Sequence, residues 1–161
     1  MITASDFIHP EDAAALRQLE SIPGFPALVK KILSLGFEEL QYGLNMATAI
    51  RLSPTQLPNL YNHLPPICKK LGIQEPELYL QMNPTPNAFT FGDTRIFITI
   101  TSGLVEMMEG EELDAVIAHE CGHIVCHHVL YHSIAQIIFS GAASLGILGH
   151  LAMPIQLALL Y

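Results

Sequence analysis

Apolar and polar positions in the first half of the chain repeat at helical spacing. Residues 10–20, PEDAAALRQLE, open with a proline and two acids and continue in good helix formers, which predicts a short helix. Between residues 26 and 52, Leu28, Ile32, Leu35 and Leu40, then Leu44, Ala47 and Ile50, fall on mixed helical spacings interrupted near Gly36 and Gly43. Two short helices or one broken helix satisfy that pattern. Leu57, Leu60, Tyr61, Leu64, Ile67, Cys68 and Leu71 make a further helical stripe, which Pro65-Pro66 should kink or split.

From residue 77 the period changes to two. ELYLQM and RIFITIT alternate and are rich in β-branched and aromatic residues, so two strands of a small sheet are expected, joined by the turn-rich NPTPNAFTFGDT. SGLVEMM reads as a short helix capped by Ser102, and EGEELDAVIAHECGHIVCHHVLYH as a long helix with acids around its start, following an edge-like strand. Residues 133–161 contain no charged residue. The fold class expected is α+β, predominantly helical, with a small sheet preceding the long helix. One continuous domain is expected, composed of a helical N-terminal region (1–75), a core with the strands and long helix (76–132) and an apolar helical segment (133–161).

Composition narrows the function classes. The chain has 161 residues, enough for one domain that buries about two-thirds of its unfolded surface without a metal or disulfide. Net charge is −8, and the few bases are scattered, which argues against nucleic acid as a partner. Three cysteines, Cys68, Cys121 and Cys126, with no CxxC pair, favour free thiols and a reducing compartment. The N-terminus lacks a basic segment followed by an apolar run, so no cleavable secretion signal is expected and a cytoplasmic location is favoured.

The chemistry concentrates in AHECGHI. On a helix His119 and His123 are four apart and project from one face, close enough for two imidazoles to reach one tetrahedral zinc ion. Glu120 lies about a hundred degrees around the helix, where its carboxylate can take a proton from an attacking water. Such a motif is expected by chance about once in forty chains of this composition. A buried helix carrying three such polar groups without a use for them would be costly, because each needs a partner. The remaining neighbours fit less well as a third ligand. On a straight helix His127 lies about 6 Å further along the axis, and the same geometry argues against Cys126. His128 and His132 form their own four-apart pair, to which a structural or supporting role is assigned, and Cys121 reads as a small packed residue.

The segment PNAFTFGDTRIFITITSGLVEMMEGEELDAVIAHECGHIVCHH resembles the gluzincin metallopeptidases of the HtpX and CAAX prenyl protease type, well over residues 77–132 and loosely elsewhere. The resemblance implies a zincin-like fold, one zinc ion per chain on His119 and His123, Glu120 as general base, and His128 as the additional histidine closing the motif. It also implies that an extended peptide or protein substrate pairs with the main chain of the strand ahead of the active-site helix, here Asn87, Ala88 and Phe89 within the stretch Asn87 to Phe91 with Arg95 to Thr101. The family's third zinc ligand is a glutamate on a later helix, and no Asp or Glu follows Glu120 here. The expectation is therefore a chain that stops short of that helix, with zinc held by His119, His123 and water or a borrowed group, and with reduced affinity and turnover.

Two readings of 133–161 stand side by side. Its 29 uncharged residues exceed the roughly 20 that cross a bilayer, while Gly141, Gly146, Gly149, His150 and Pro154 suit a hairpin packed over the active-site helix. The first predicts contact with the inner or cytoplasmic membrane; exposure of the segment predicts self-association. The leading functional expectation is a zinc-dependent metalloendopeptidase; the alternative is a non-catalytic metal-binding or membrane-associated interaction module.

Overall fold

A computed structural model describes residues 10–126, 128–131 and 133. The apolar segment, together with His127, His132 and His150, lies outside the described residues apart from Ser133. Helix α1 (Pro10–Ser21) and helix α2 (Phe25–Ile32) lead through a π-helical turn (Leu33–Phe37) into α3 (Glu38–Thr48) and a short strand β1 (Ala49–Arg51). Then come α4 (Pro58–Tyr61), α5 (Leu64–Leu71), β2 (Glu77–Gln81), β3 (Ala88–Phe91), β4 (Phe97–Thr101), α6 (Ser102–Met107) and α7 (Glu111–Val125).

The four strands form one mixed sheet in the order β1-β2-β4-β3. β2 runs parallel to β4, whereas β1 and β3 pair antiparallel with their neighbours. Alternation along the strands sorts the core into two halves. Leu78, Leu80, Ile98 and Ile100 point to one face, where Leu64, Ile67 and Cys68 of α5 meet Leu113, Ile117 and Cys121 of α7. Tyr79, Phe91 and Phe97 point to the other and pack against Val29 and Leu33. Phe97 meets Tyr79 edge to face at 6.1 Å and stacks on Phe91 at 5.7 Å. Helices cover both sides, so every residue of β4 is buried. The mixed helix-and-sheet architecture agrees with the α+β expectation.

Several boundaries differ from the sequence reading. The connection between the two expected strands contains a third, Ala88–Phe91, which takes the sheet edge; β4, the last strand ahead of α6 and α7, is interior rather than edge-like. The helical stripe ending at Ile50 gives way to β1, whose backbone is held by β2. The 57–71 stripe splits before its prolines, because Pro65-Pro66 occupy the first positions of α5, where a missing N–H costs nothing. The break expected near Gly36 is present, with that glycine at φ 102°, while Gly43 lies inside α3. Thr101, not Ser102, caps α6, accepting from Leu104 N–H at 3.4 Å. Ser102 instead ties Asn83 to the helix start, through its hydroxyl to Asn83 O at 3.0 Å and the Asn83 N–H back to Ser102 Oγ at 3.1 Å. α7 ends at Val125 rather than running to His132.

Two polar clasps fix the hairpin tip and the outer sheet corner. Glu38, at the start of α3, accepts from the backbone N–H groups of Asp93 and Thr94 and from the Thr94 hydroxyl at 2.6 Å. Gly92 sits at φ 116°, and a Cβ there would meet Arg95 O at 2.1 Å, so only glycine fits this turn. Beside it, Arg95 donates to Glu77 at 2.7 Å and lies 3.5 Å above the Tyr42 ring. Tyr79 OH donates to the same carboxylate at 2.5 Å. Burial, then the Glu77 carboxylate, holds the Tyr79 phenol above its usual range. Burial also pushes the Glu77 carboxyl up, but the Tyr79 and Arg95 donors and the charges of Arg51 and Arg95 outweigh it and leave it below the ordinary range.

A depressed folded-state carboxyl contributes stability that is complete above its unfolded pKa, about 4.3, and lost as pH falls through the lower folded value. Glu77→Gln should therefore be less stable than the unsubstituted chain at pH 7, and the gap should close below about pH 4. Thermal melts of both forms across that range check this; a gap independent of pH would count against it.

Candidate metal centre

α7 carries the motif because its inner face is apolar and its outer face is not. Leu113, Ile117 and Cys121 recur at helical spacing against α5 and the sheet. Glu111, Glu112 and Asp114 in the first turn complement the positive end of the helix. His63, preceding α5, lies 2.6 Å from Asp114 through Nδ1 and ties the two helices at that end. At the other end the Cys126 N–H reaches Gly122 O at 2.9 Å, and the His128 N–H reaches His123 O at 3.0 Å, so the chain leaves the helix directly beyond the motif.

His119, Glu120 and His123 come together as the spacing requires. Their ligand atoms all lie within 4.8 Å of one another, and the two imidazole rings stand 4.7 Å apart at 83°. His119 is exposed, His123 is half-buried and Glu120 is 7% exposed. Two imidazoles with a carboxylate this close are a donor set suited to a zinc ion. The His128 ring stands 5.9 Å from that of His123, beside the cluster rather than in it. Nε2 of the His128 ring is buried.

Glu120 is not left to solvent. Thr90 on β3, itself 2% exposed, donates its hydroxyl to Glu120 Oε2 at 2.7 Å, with the backbone carbonyl of Glu120 3.3 Å away. A buried carboxylate needs such a donor. Thr90 is not singled out by the sequence, where nothing in the local AFTF pattern marks it.

Among the described residues β3 is the outermost strand of the sheet, and it lies beside the cluster. Thr101 N–H donates to Asn87 O at 3.0 Å, so Asn87 and Thr101 form a hydrogen-bonded pair. Antiparallel alternation turns Phe89 and Phe91 inward to β4 in the same way and leaves the N–H and C=O of Ala88 and Thr90 pointing outward. Gly92 N–H, next in the outward series, is taken by Ser133 Oγ at 2.9 Å. Of the three strand residues nominated from sequence, Ala88 offers its backbone to the open edge, while Asn87 and Phe89 bond into the sheet.

A motif-bearing helix lying against the edge strand of a small mixed sheet is a zincin-like arrangement. The sequence pattern of peptidase family M48 matches residues 55–156, more than half of the chain, and the chain belongs to that family. It is 33% identical over 152 residues to the plastoglobule-localized metallopeptidase 48, chloroplastic, of Arabidopsis thaliana, covering 93% of this chain and 44% of that protein. Two proteins named protease HtpX homolog are similar. That of Pelotomaculum thermopropionicum is 32% identical over 127 residues (74% of this chain, 45% of the relative), and that of a Sulfurihydrogenibium species is 32% identical over 121 residues (74% and 40%). The chain thus spans less than half the length of these relatives.

The three thiols are free and buried. Cys68 and Cys121 face each other between α5 and α7, and the hydrogen bond between them raises the Cys121 thiol, with burial adding to it, while lowering Cys68. All three should react with a water-soluble disulfide reagent such as Ellman's only on unfolding; rapid labelling of the native protein would contradict this burial.

Proposed function

We propose that this chain carries the catalytic helix and substrate edge of a zinc-dependent endopeptidase. The observation that supports this reading best is the His119–Glu120–His123 cluster lying beside β3, the outermost strand among the described residues, with Thr90 joining the two. In this reading His119 and His123 hold one zinc ion per chain, and Glu120 is the general base. Zinc at this position would polarise the scissile carbonyl and lower the pKa of a water molecule. The chain's own groups supply the rest: Ala88 and Thr90 pair with the main chain of an extended peptide, and Oε1 of Glu120 receives the proton of the attacking water. Asn87 and Phe89 fix that edge from within the sheet, and His128 supports His123 from the turn after α7.

The substrates are peptide or protein segments in extended form. The apolar stretch 133–161 supplies the membrane contact and self-association of this reading, placing a cytoplasmic catalytic face at the inner or cytoplasmic membrane. Among the described residues no helix is long and apolar enough to cross a membrane. A second reading is a metal-binding module without turnover, in which Glu120 joins His119 and His123 as a ligand; the closeness of their ligand atoms, all within 4.8 Å of one another, favours it.

Glu120→Gln in the full-length gene product should lower casein hydrolysis by about 10²- to 10⁴-fold, the worth of a general base, while elemental analysis still finds one zinc per chain. His119→Ala should lose the zinc as well. Zinc without any glutamate-dependent hydrolysis would establish the second reading instead.

A further inference from the structure

Thr90 belongs to two structures at once. Its backbone N–H and C=O lie on the outward series of the β3 edge, where a substrate strand would pair. Its side chain turns the other way, into the interface with α7, and donates to Glu120 Oε2 at 2.7 Å. Among the described residues this is the one hydrogen bond that the Glu120 carboxylate makes: it holds Oε2, and none of them bonds to Oε1.

We propose that Thr90 is the positioning residue for Glu120, fixing which carboxylate oxygen faces the metal cluster and tying the placement of the base to the strand on which substrate lies. This rests on the endopeptidase reading above and adds to it a side chain that neither touches the metal nor donates to substrate. A carboxylate can rotate about its last bond, and each wrong orientation withdraws the basic oxygen from the attacking water. A hydroxyl that holds one oxygen at 2.7 Å removes that freedom. Thr90 is itself anchored: its neighbours Phe89 and Phe91 bond into β4, and its side chain is 2% exposed. A substrate strand seated on Ala88 and Thr90 therefore sets its carbonyl in register with the same residue that orients the base, so strand register and base position share one reference point.

The test compares Thr90→Val, which keeps the β-branched shape and removes the hydroxyl, with Thr90→Ser, which restores it, in the full-length gene product. Peptide kinetics and zinc content are read in parallel. With the Val variant kcat should fall about 10- to 100-fold, the range for a lost hydrogen bond to a charged group, while KM and zinc content stay within about twofold. Thr90→Ser should recover kcat to within about threefold of the unsubstituted enzyme, a result that a merely structural threonine would not require. Should the Val variant fail to fold, Thr90→Cys, of similar size but a weak donor, must still show the loss of kcat. The proposal is overturned by unchanged kcat in the Val or Cys variant, by zinc loss in step with activity, by a rise in KM alone, or by failure of Ser to rescue. Failure of the underlying reading looks different: the unsubstituted protein then hydrolyses nothing, or its hydrolysis survives Glu120→Gln.

Discussion

A carboxylate drawn into an apolar helix interface is the constraint around which this molecule is arranged. Glu120 shares α7 with Ile117 and Cys121, both fully buried, and a charge in such surroundings must be compensated where it sits. The compensation comes from a different element, a strand separated from it by 30 residues, so the helix and the sheet edge must dock in one register for the hydrogen bond to exist. Helix, sheet edge and carboxylate are consequently a single geometric unit.

That unit stands on a sheet covered from both sides. The α5–α7 layer and the α2–α3 layer meet opposite faces of the same strands, and a second buried polar pair, Asn45 Nδ2 with Thr99 Oγ1 at 3.3 Å, ties α3 to the centre of the sheet. Glu38 reaches the hairpin tip from the same layer. The N-terminal helices thus hold the far end of the very strand whose near side faces the cluster. The loop before that strand is equally tied: the Asn87 N–H donates to Thr101 Oγ1 at 2.8 Å, and a Cβ on Gly103 would meet Pro84 O at 2.1 Å.

Local chemistry was readable in the chain, and long-range pairing was not. The spacing of His119 and His123 and the helix beneath them follow from a period that a single segment displays. β2 and β4 were equally plain, because their alternation runs for five residues. Periodicity does not show β3, which lies among prolines, asparagines and glycines and is implied only by the family resemblance, since a four-residue edge strand owes its conformation to β4 rather than to its own propensity. β1 was masked in the same way by helical spacing inherited from α3. Thr90, Ser133 and Glu38 gave no local signal at all; each acts on a group tens of residues distant, and only the folded register selects it. The end of α7 at Val125 likewise reflects the packing of Val129, Leu130 and Tyr131 beyond it, with Tyr131 stacked on Phe25 at 6.1 Å, where helix-forming residues alone would have continued.

The hydroxyl of Ser133 on Gly92 N–H gives the strand rim a stop. A chain added along this rim would meet the outward groups of Ala88 and Thr90 and then an occupied donor, so such a contact would be short and finite, unlike the unbounded rows on which fibrils grow. In the endopeptidase reading, a contact through so few main-chain groups would ignore side-chain identity and ask only for a stretch of polypeptide that is already unfurled.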